Sequence, residues 1–388
     1  MKFLSKLLKF IVMLCGLLIL LLYIFDYDYI LKAVRVTYGT GHKTAFLEDY
    51  TEFDNRVIEK SSPQPWNIHK DYNKATITDS LEHTNIENGT IAYLIIKNDS
   101  IWFEKYYDGF GQTSKTNSFS MSKSIISAML GKAVMEGKIR SLDQKVSDFY
   151  PEFKKGLSAN LTVGDLSSMA SGLDWDESYY SPFSVTTRAY FDEDLAPVIL
   201  NMKGIEAPGK TYKYLSGNTQ LLGMVIKKAT GQNMSGYLSE EFWKPMGFES
   251  DALWQIDSEQ HGLEKAYCCI ASNARDFARF GKLYKDYGKW NGEQLLDSAF
   301  IQKSITPRFE DSPEYGYGWW LKTIGDKHFF MMRGHLGQYV IVEPEDNVII
   351  VRLGHTKGPK GEGELFSKDI FSYIEEGYNM LDQDKSEQ

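Results

Sequence analysis

The chain is 388 residues long, 43% hydrophobic, with a formal charge of −9. That length suits one large domain or two lobes sharing a site, with enough apolar residues for a substantial core. The acidic balance and the lack of any Lys/Arg-rich block argue against a nucleic-acid partner. Seven scattered histidines, with no His-x-x-x-His or Cys-x-x-Cys spacing, argue against a zinc hydrolase.

Lys2, Lys6 and Lys9 precede an uninterrupted apolar run from Phe10 to Phe25. Counted from Leu7, with Lys9 snorkelling, a helix here is about 28 Å long, enough to cross a hydrocarbon core. A cleaved signal peptide is the alternative, because the run is short. The run passes into Asp26-Tyr27-Asp28-Tyr29 without a small-x-small site, and Met13-Leu14 before Cys15 is a poor lipoprotein signal. An uncleaved anchor over residues 1–25 is therefore expected. The lysines ahead of the run place the N-terminus in the cytoplasm and the body on the other side. Cys268 and Cys269 are adjacent and cannot bridge without strain. With no disulfide framework, the body must be held together by its core.

Residues 26–75 read as a polar juxtamembrane connector, ending near Ser61-Ser62-Pro63-Gln64-Pro65. Strand patterns follow at Thr90–Lys97 and Ser100–Tyr107, with Asn98-Asp99 as the turn between them. A helical stripe runs from Met121 through Ile125, Ile126, Met129, Leu130, Ala133 and Val134 to Gly137. The stretch from about 140 to 262 is rich in helical periods broken by Gly and Pro, including Leu221–Thr230. Another helix is predicted over Ala274–Tyr287. Strands are predicted at Tyr317–Lys322, Phe329–Arg333, Gln338–Glu343 and Val348–Leu353, and a closing helix at about Phe366–Tyr378. This order predicts an α+β fold: an antiparallel sheet built from both ends of the domain, flanked by helices, with an inserted helical lobe. A cleft at their junction is the expected site.

Ser120-Met121-Ser122-Lys123 opens the Met121 stripe and is the only Ser-x-x-Lys in the chain. A hydroxyl at that helix mouth lies near free backbone N–H groups and the positive end of the dipole. Lys123, one turn on, can take its proton if burial lowers the lysine pKa. A plain N-cap serine with a solvated lysine is the alternative. Two further places complete a constellation. Tyr214-Leu215-Ser216 follows the turn at Pro208-Gly209-Lys210 and precedes a helix, and His335-Leu336-Gly337-Gln338 leads into an apolar strand. Alone, Tyr214 reads as an ordinary packed aromatic and His335 as a structural histidine.

Together these motifs resemble the serine β-lactamase and penicillin-binding-protein superfamily, and within it the branch related to class C β-lactamases. That branch includes D-aminopeptidases, family VIII esterases and 6-aminohexanoate-dimer hydrolases. The resemblance runs from about residue 76 to 378, within a hydrolase domain expected over 76–380. It also rests on Ser171-Gly172-Leu173, Leu221-Leu222-Gly223, the run from Arg275 to Gly281, and Tyr315-Gly316-Tyr317-Gly318-Trp319-Trp320. Class C lactamases carry Tyr-x-Asn and Lys-Thr-Gly where this chain has Tyr-Leu-Ser and His-Leu-Gly. That difference is similar to the esterase and linear-amidase members, and it weakens recognition of a β-lactam.

The resemblance implies a serine hydrolase that cleaves a small ester or linear amide through an acyl-enzyme on Ser120, without a metal or organic cofactor. Lys123 would act as base and Tyr214 as proton relay, with the N–H groups of Ser120 and Gln338 as oxyanion hole. Ser216, His335, Gly337 and Trp175 would bind or orient substrate, although Trp175 reads equally well as core. The expected place is the bacterial inner membrane, single-pass, with the catalytic domain periplasmic. A D,D-peptidase or β-lactamase, and a non-catalytic surface binding domain, remain as alternatives.

Overall fold

The computed structural model describes residues 2–386. The early part of the chain forms α1 (Lys2–Ile24), α2 (Tyr29–Val36), β1 (Asn55–Ile58), β2 (Asn67–Ile68), α3 (Asp79–Glu87), β3 (Thr90–Lys97), β4 (Ser100–Tyr106) and β5 (Thr116–Asn117). The middle holds α4 (Ser122–Met135), α5 (Val163–Ser167), α6 (Val185–Phe191), α7 (Leu195–Leu200), α8 (Ser216–Thr230), α9 (Met234–Leu238), β6 (Ala252–Gln255) and β7 (Ile270–Ser272). After α10 (Ala274–Lys285) come a short hairpin, β8 (Lys289–Trp290) and β9 (Glu293–Gln294), and α11 (Ser298–Ser304). The chain then returns through β10 (Trp320–Ile324), β11 (Lys327–Gly334), β12 (Gln338–Glu343) and β13 (Val348–Gly354) to α12 (Lys368–Ser386).

The seven-stranded sheet has the order β10-β11-β12-β13-β3-β4-β2. Late strands meet early ones where β13 pairs antiparallel with β3, the α+β arrangement expected, with the helical segment α5–α9 between the two sets of strands. A smaller antiparallel sheet, β1-β6-β7-β5, lies beside it. Successive residues of a strand point to opposite faces, and here both faces are covered. Leu94, Ile96, Val340 and Val342 enter one core, with α4 and α10. Tyr93, Ile95, Tyr339 and Ile341 enter another, with α3 and α12. That double burial explains why these strands read as unbroken apolar runs. α10 comes close enough that a Cβ on Gly281 would fall 2.9 Å from Val340 Cγ1.

Several expectations change on contact with the fold. The Met121 stripe predicts an amphipathic helix, yet α4 is buried on every side from Ser122 to Leu130. A helix set between two layers has no solvent face to polarise. Besides Lys123, its polar positions from Ser122 to Leu130 are hydroxyls that bond to neighbours: Ser122 to Ala266 O, Ser124 to Gly318 O and Ser127 to Tyr317 O. Those bonds hold the Tyr317–Gly318 backbone, with Gly318 at φ +82°, so the strand predicted from Tyr317 begins only at Trp320. Residues 26–75, expected as a connector, supply β1 and β2 to the two sheets and bury Asp49 completely. Cys268 and Cys269 are joined to each other, with Cys269 at φ +78°. A link between neighbours closes no long loop, so the body still depends on its core.

The Arg275-to-Gly281 run is a structural clamp. Arg275 pairs with the buried Glu104. Arg279, fully buried, donates to Met246 O at 2.9 Å and Gln64 O at 2.6 Å and pairs with Asp276 and Glu249. Removing it strips the buried Asp276 carboxylate of its counter-charge and leaves the Met246 and Gln64 carbonyls without that donor. Arg279→Leu is expected to destabilise the protein by about 3–5 kcal/mol, measured by chemical unfolding followed through tryptophan fluorescence. A loss below about 1 kcal/mol would show that water replaces the guanidinium.

Candidate active site

Ser120 lies in a short 3-10 turn, Phe119–Met121, that runs directly into α4. Phe119 takes φ +45°, a left-handed conformation that an aromatic residue adopts only when its surroundings impose it. They do so through a chain of hydrogen bonds. Asn117 Oδ1 accepts from the Phe119 N–H at 2.8 Å, and Asn117 Nδ2 donates to Asp49 Oδ1 at 2.9 Å. Tyr190 and Gln255 donate to the same carboxylate.

Lys123, 3% exposed, donates through Nζ to Ser120 Oγ at 3.0 Å and to the Tyr267 carbonyl at 2.8 Å. Burial pushes its pKa down to about 8, against an opposing pull from the Glu177 carboxylate. Tyr214 faces the same ammonium, its ring centroid 5.1 Å from Nζ. Its phenol is in hydrogen-bonding reach of Ser120 and is pushed well above its ordinary pKa, by burial first and by Glu177 next. Lysine is therefore the group of this pair that changes protonation near neutral pH. The phenol stays neutral and can both accept and donate.

The third motif forms the corner between β11 and β12. Gly334 pairs with Gln338 across the corner, and a Cβ on Gly334 would fall 2.4 Å from Ser118 O. The corner thus abuts the Ser120 turn. Leu336 and Gly337 take φ of +60° and +84°. Arg352, fully buried, holds them there: Nη1 donates to Leu336 O at 3.1 Å, Gly337 O at 2.8 Å and Thr356 O at 2.8 Å. His335 packs between Phe119 and Tyr179. Burial, helped by Lys357 behind the turn, pushes its pKa down to about 4, so its ring is neutral at pH 7.

Glu177 is a site residue that the motifs do not reveal. It sits in the irregular stretch before α6 and grips the start of α8, accepting from the Ser216 N–H and hydroxyl, each at 2.6 Å. Anionic oxygen at a helix N-terminus is favourable. Tyr179 donates to the same carboxylate. Ser216 thus has its hydroxyl committed to Glu177. Trp175 is 5% exposed and packs into the core, so close to the α8 backbone that a Cβ on Gly217 would meet its Cε3 at 2.4 Å. It does not line the cavity.

Ser120, Ser216, His335 and Tyr267 all open onto a cavity of about 570 Å³, within the usual range for small-molecule sites, roughly 300–1,000 Å³. At Ser120, which lines this cavity, a serine hydroxyl meets a buried lysine and a neutral phenol, groups whose chemistry suits acyl transfer to a serine.

Residues 79–368 match the Beta-lactamase family. The chain belongs to that family, and it is a hydrolase of the serine-hydrolase superfamily. The 6-aminohexanoate-dimer hydrolase of Paenarthrobacter ureafaciens is 25% identical over 307 residues, 74% of this chain and 77% of that protein. Protein flp of Staphylococcus aureus is 26% identical over 313 residues, 71% of this chain and 61% of flp. A Bacillus anthracis structure provisionally assigned as a 6-aminohexanoate-dimer hydrolase shares the fold: TM-score 0.69 at 19% identity, covering 86% of this chain and 91% of that one.

A protonated Lys123 cannot accept the Ser120 proton, so ester hydrolysis should rise with pH through a midpoint of about 8. The Glu177 charge favours the ammonium form, and Glu177→Gln should move that midpoint to lower pH. The pH profile of kcat/KM for p-nitrophenyl acetate tests both, and a midpoint that stays or rises in the variant counts against the assignment.

Proposed function

We propose that the protein cleaves esters or linear amides through an acyl-enzyme on Ser120. The observation that carries this reading is the 3.0 Å contact between Lys123 Nζ and Ser120 Oγ, with the lysine held to a pKa of about 8. In the first step Ser120 Oγ bonds to the carbonyl carbon as its proton passes to neutral Lys123. The bond to the leaving oxygen or nitrogen then breaks, and that atom takes the proton through Tyr214. Water repeats the sequence on the acyl-enzyme and releases the acid. The Ser120 and Gln338 N–H groups form the oxyanion hole, a donor there being worth about 3–4 kcal/mol. Asp49 and Asn117 fix the turn that aims Ser120, and Arg352 fixes the corner that presents Gln338.

The neutral ring of His335 supports esters and linear amides over β-lactams, because the lactamase motif has a permanent lysine charge there. The Paenarthrobacter relative, named for hydrolysis of a 6-aminohexanoate dimer, points the same way. α1 is long and apolar enough to cross a membrane and buries no residue against the body. It anchors the protein, with Lys2, Lys6 and Lys9 on the cytoplasmic side and the catalytic body outside.

A fluorophosphonate probe should label Ser120. Ser120→Ala and Lys123→Ala should each abolish labelling, since the pair acts as a unit. Peptide mapping that finds the adduct elsewhere ends the assignment. On one preparation, kcat/KM for p-nitrophenyl acetate or butyrate should exceed that for nitrocefin by about tenfold or more, the cost of losing one charge-assisted contact. The reverse order would make the enzyme a β-lactamase.

A further inference from the structure

The cavity that begins at Ser120 does not end in the catalytic body. Its far wall is α2 and the turn that follows it: Ile30, Ala33 and Val34 of the helix, then Thr37 and Tyr38, line it, together with the Tyr179–Pro182 loop. α2 starts at Tyr29, and α1 ends at Ile24. Ile30 is thus six residues beyond the end of the apolar helix, a reach of at most about 20 Å. α1 has 23 residues, about 34 Å of helix, which takes up the roughly 30 Å of a hydrocarbon core. Its end therefore meets the headgroup layer, and the cavity mouth opens close above it.

α2 moves with the body, because it is docked onto it, and only the short link 25–28 separates it from α1. Tyr29 donates to Pro182 O at 2.9 Å, Asp26 pairs with Arg188, and Tyr29 and Val36 are buried against Phe53 and Phe191. Around the mouth, Val34, Tyr38, Tyr180 and Phe183 remain half or more exposed. Aromatic residues at that height are the side chains that settle at a membrane interface, and a contiguous apolar rim marks a surface that meets something apolar.

We infer that the cavity takes a membrane amphiphile: an ester or amide whose apolar chain lies along α2 while its carbonyl reaches Ser120, entering from the leaflet on the body's side of the membrane that α1 spans. The inference rests on the acyl-enzyme and anchor readings above. It extends the small-ester expectation, which has no view of α2. The chemistry is unchanged, and what the chain contributes is binding energy far from the bond that breaks.

The full-length protein is reconstituted in phosphatidylcholine vesicles and given two series: p-nitrophenyl esters of increasing acyl length, and acetate esters of increasing alcohol length. In one of the two series kcat/KM should climb toward about fourfold per methylene, the value for full burial. Val34→Glu, at a half-exposed position that tolerates the change, should flatten that slope; comparison in the same vesicles cancels partitioning. A dodecanoate ester of 4-methylumbelliferone should be hydrolysed when it shares vesicles with the protein and spared when it sits in separate ones. Fluorophosphonate labelling of Ser120 accompanies every run. Labelled protein with flat slopes, equal slopes in wild type and Val34→Glu, or equal hydrolysis in shared and separate vesicles overturns this inference and leaves the acyl-enzyme standing. Absence of both labelling and turnover overturns the acyl-enzyme reading, and this one with it.

Discussion

An ammonium group held away from water is costly unless something compensates it, and Lys123 is met by a hydroxyl and a carbonyl, with no carboxylate in contact among the described residues. That choice of partners decides what the site can do. A carboxylate touching Nζ would hold the lysine charged well above neutral pH. Glu177 is near enough to oppose the effect of burial, but its oxygens are spent on Ser216 and Tyr179. The burial of α4 on all sides follows from the same need. A helix with one wet face would bring water to Lys123 and return its pKa toward that of an ordinary lysine.

The strained turn ahead of Ser120 shows how much of the molecule supports that geometry. Phe119 holds a left-handed backbone that costs on the order of 1–3 kcal/mol, and its restraint runs through Asn117 to Asp49. Asp49 belongs to the segment just after α2, far from Ser120 in sequence. The opposite wall is built the same way. Arg352 spends its guanidinium on the carbonyls of the His335 corner and, through Nη2, on Asn88 O at 2.6 Å, linking that corner to the turn between α3 and β3. Both walls are thus tied to distant parts of the chain, as the covalent order of a sheet closed from its two ends requires.

What the chain reveals before folding is local. Ser120 and Lys123 share one helical turn, the Asn98-Asp99 turn takes positive φ at both residues, and β3, β12 and β13 carry alternating cores in a few consecutive residues. Such signals survive in a window of ten residues. Glu177, Asp49 and Arg352 do not, since each is an ordinary charged residue until folding brings it to its partners. Trp175 looked as much like core as like pocket, and its contact with Gly217 is core packing. The α4 stripe was misleading for a related reason: serines count as polar in a periodic pattern, yet each finds a buried carbonyl once its neighbours are in place.

The dryness that prepares Lys123 bears equally on what enters the cavity. A substrate carboxylate brought against His335 would lose hydration and gain no permanent charge at the motif position, because the same burial that lowers the lysine pKa keeps the histidine neutral. An apolar chain has nothing to lose there and gains with each methylene removed from water. In the reaction we propose, base activation and substrate preference are therefore one constraint seen at two residues. A mutation that wets the cavity, by opening the Tyr179–Pro182 loop or withdrawing α2, should raise the lysine pKa and weaken apolar selectivity together, whereas one that merely changes the cavity's shape should separate the two.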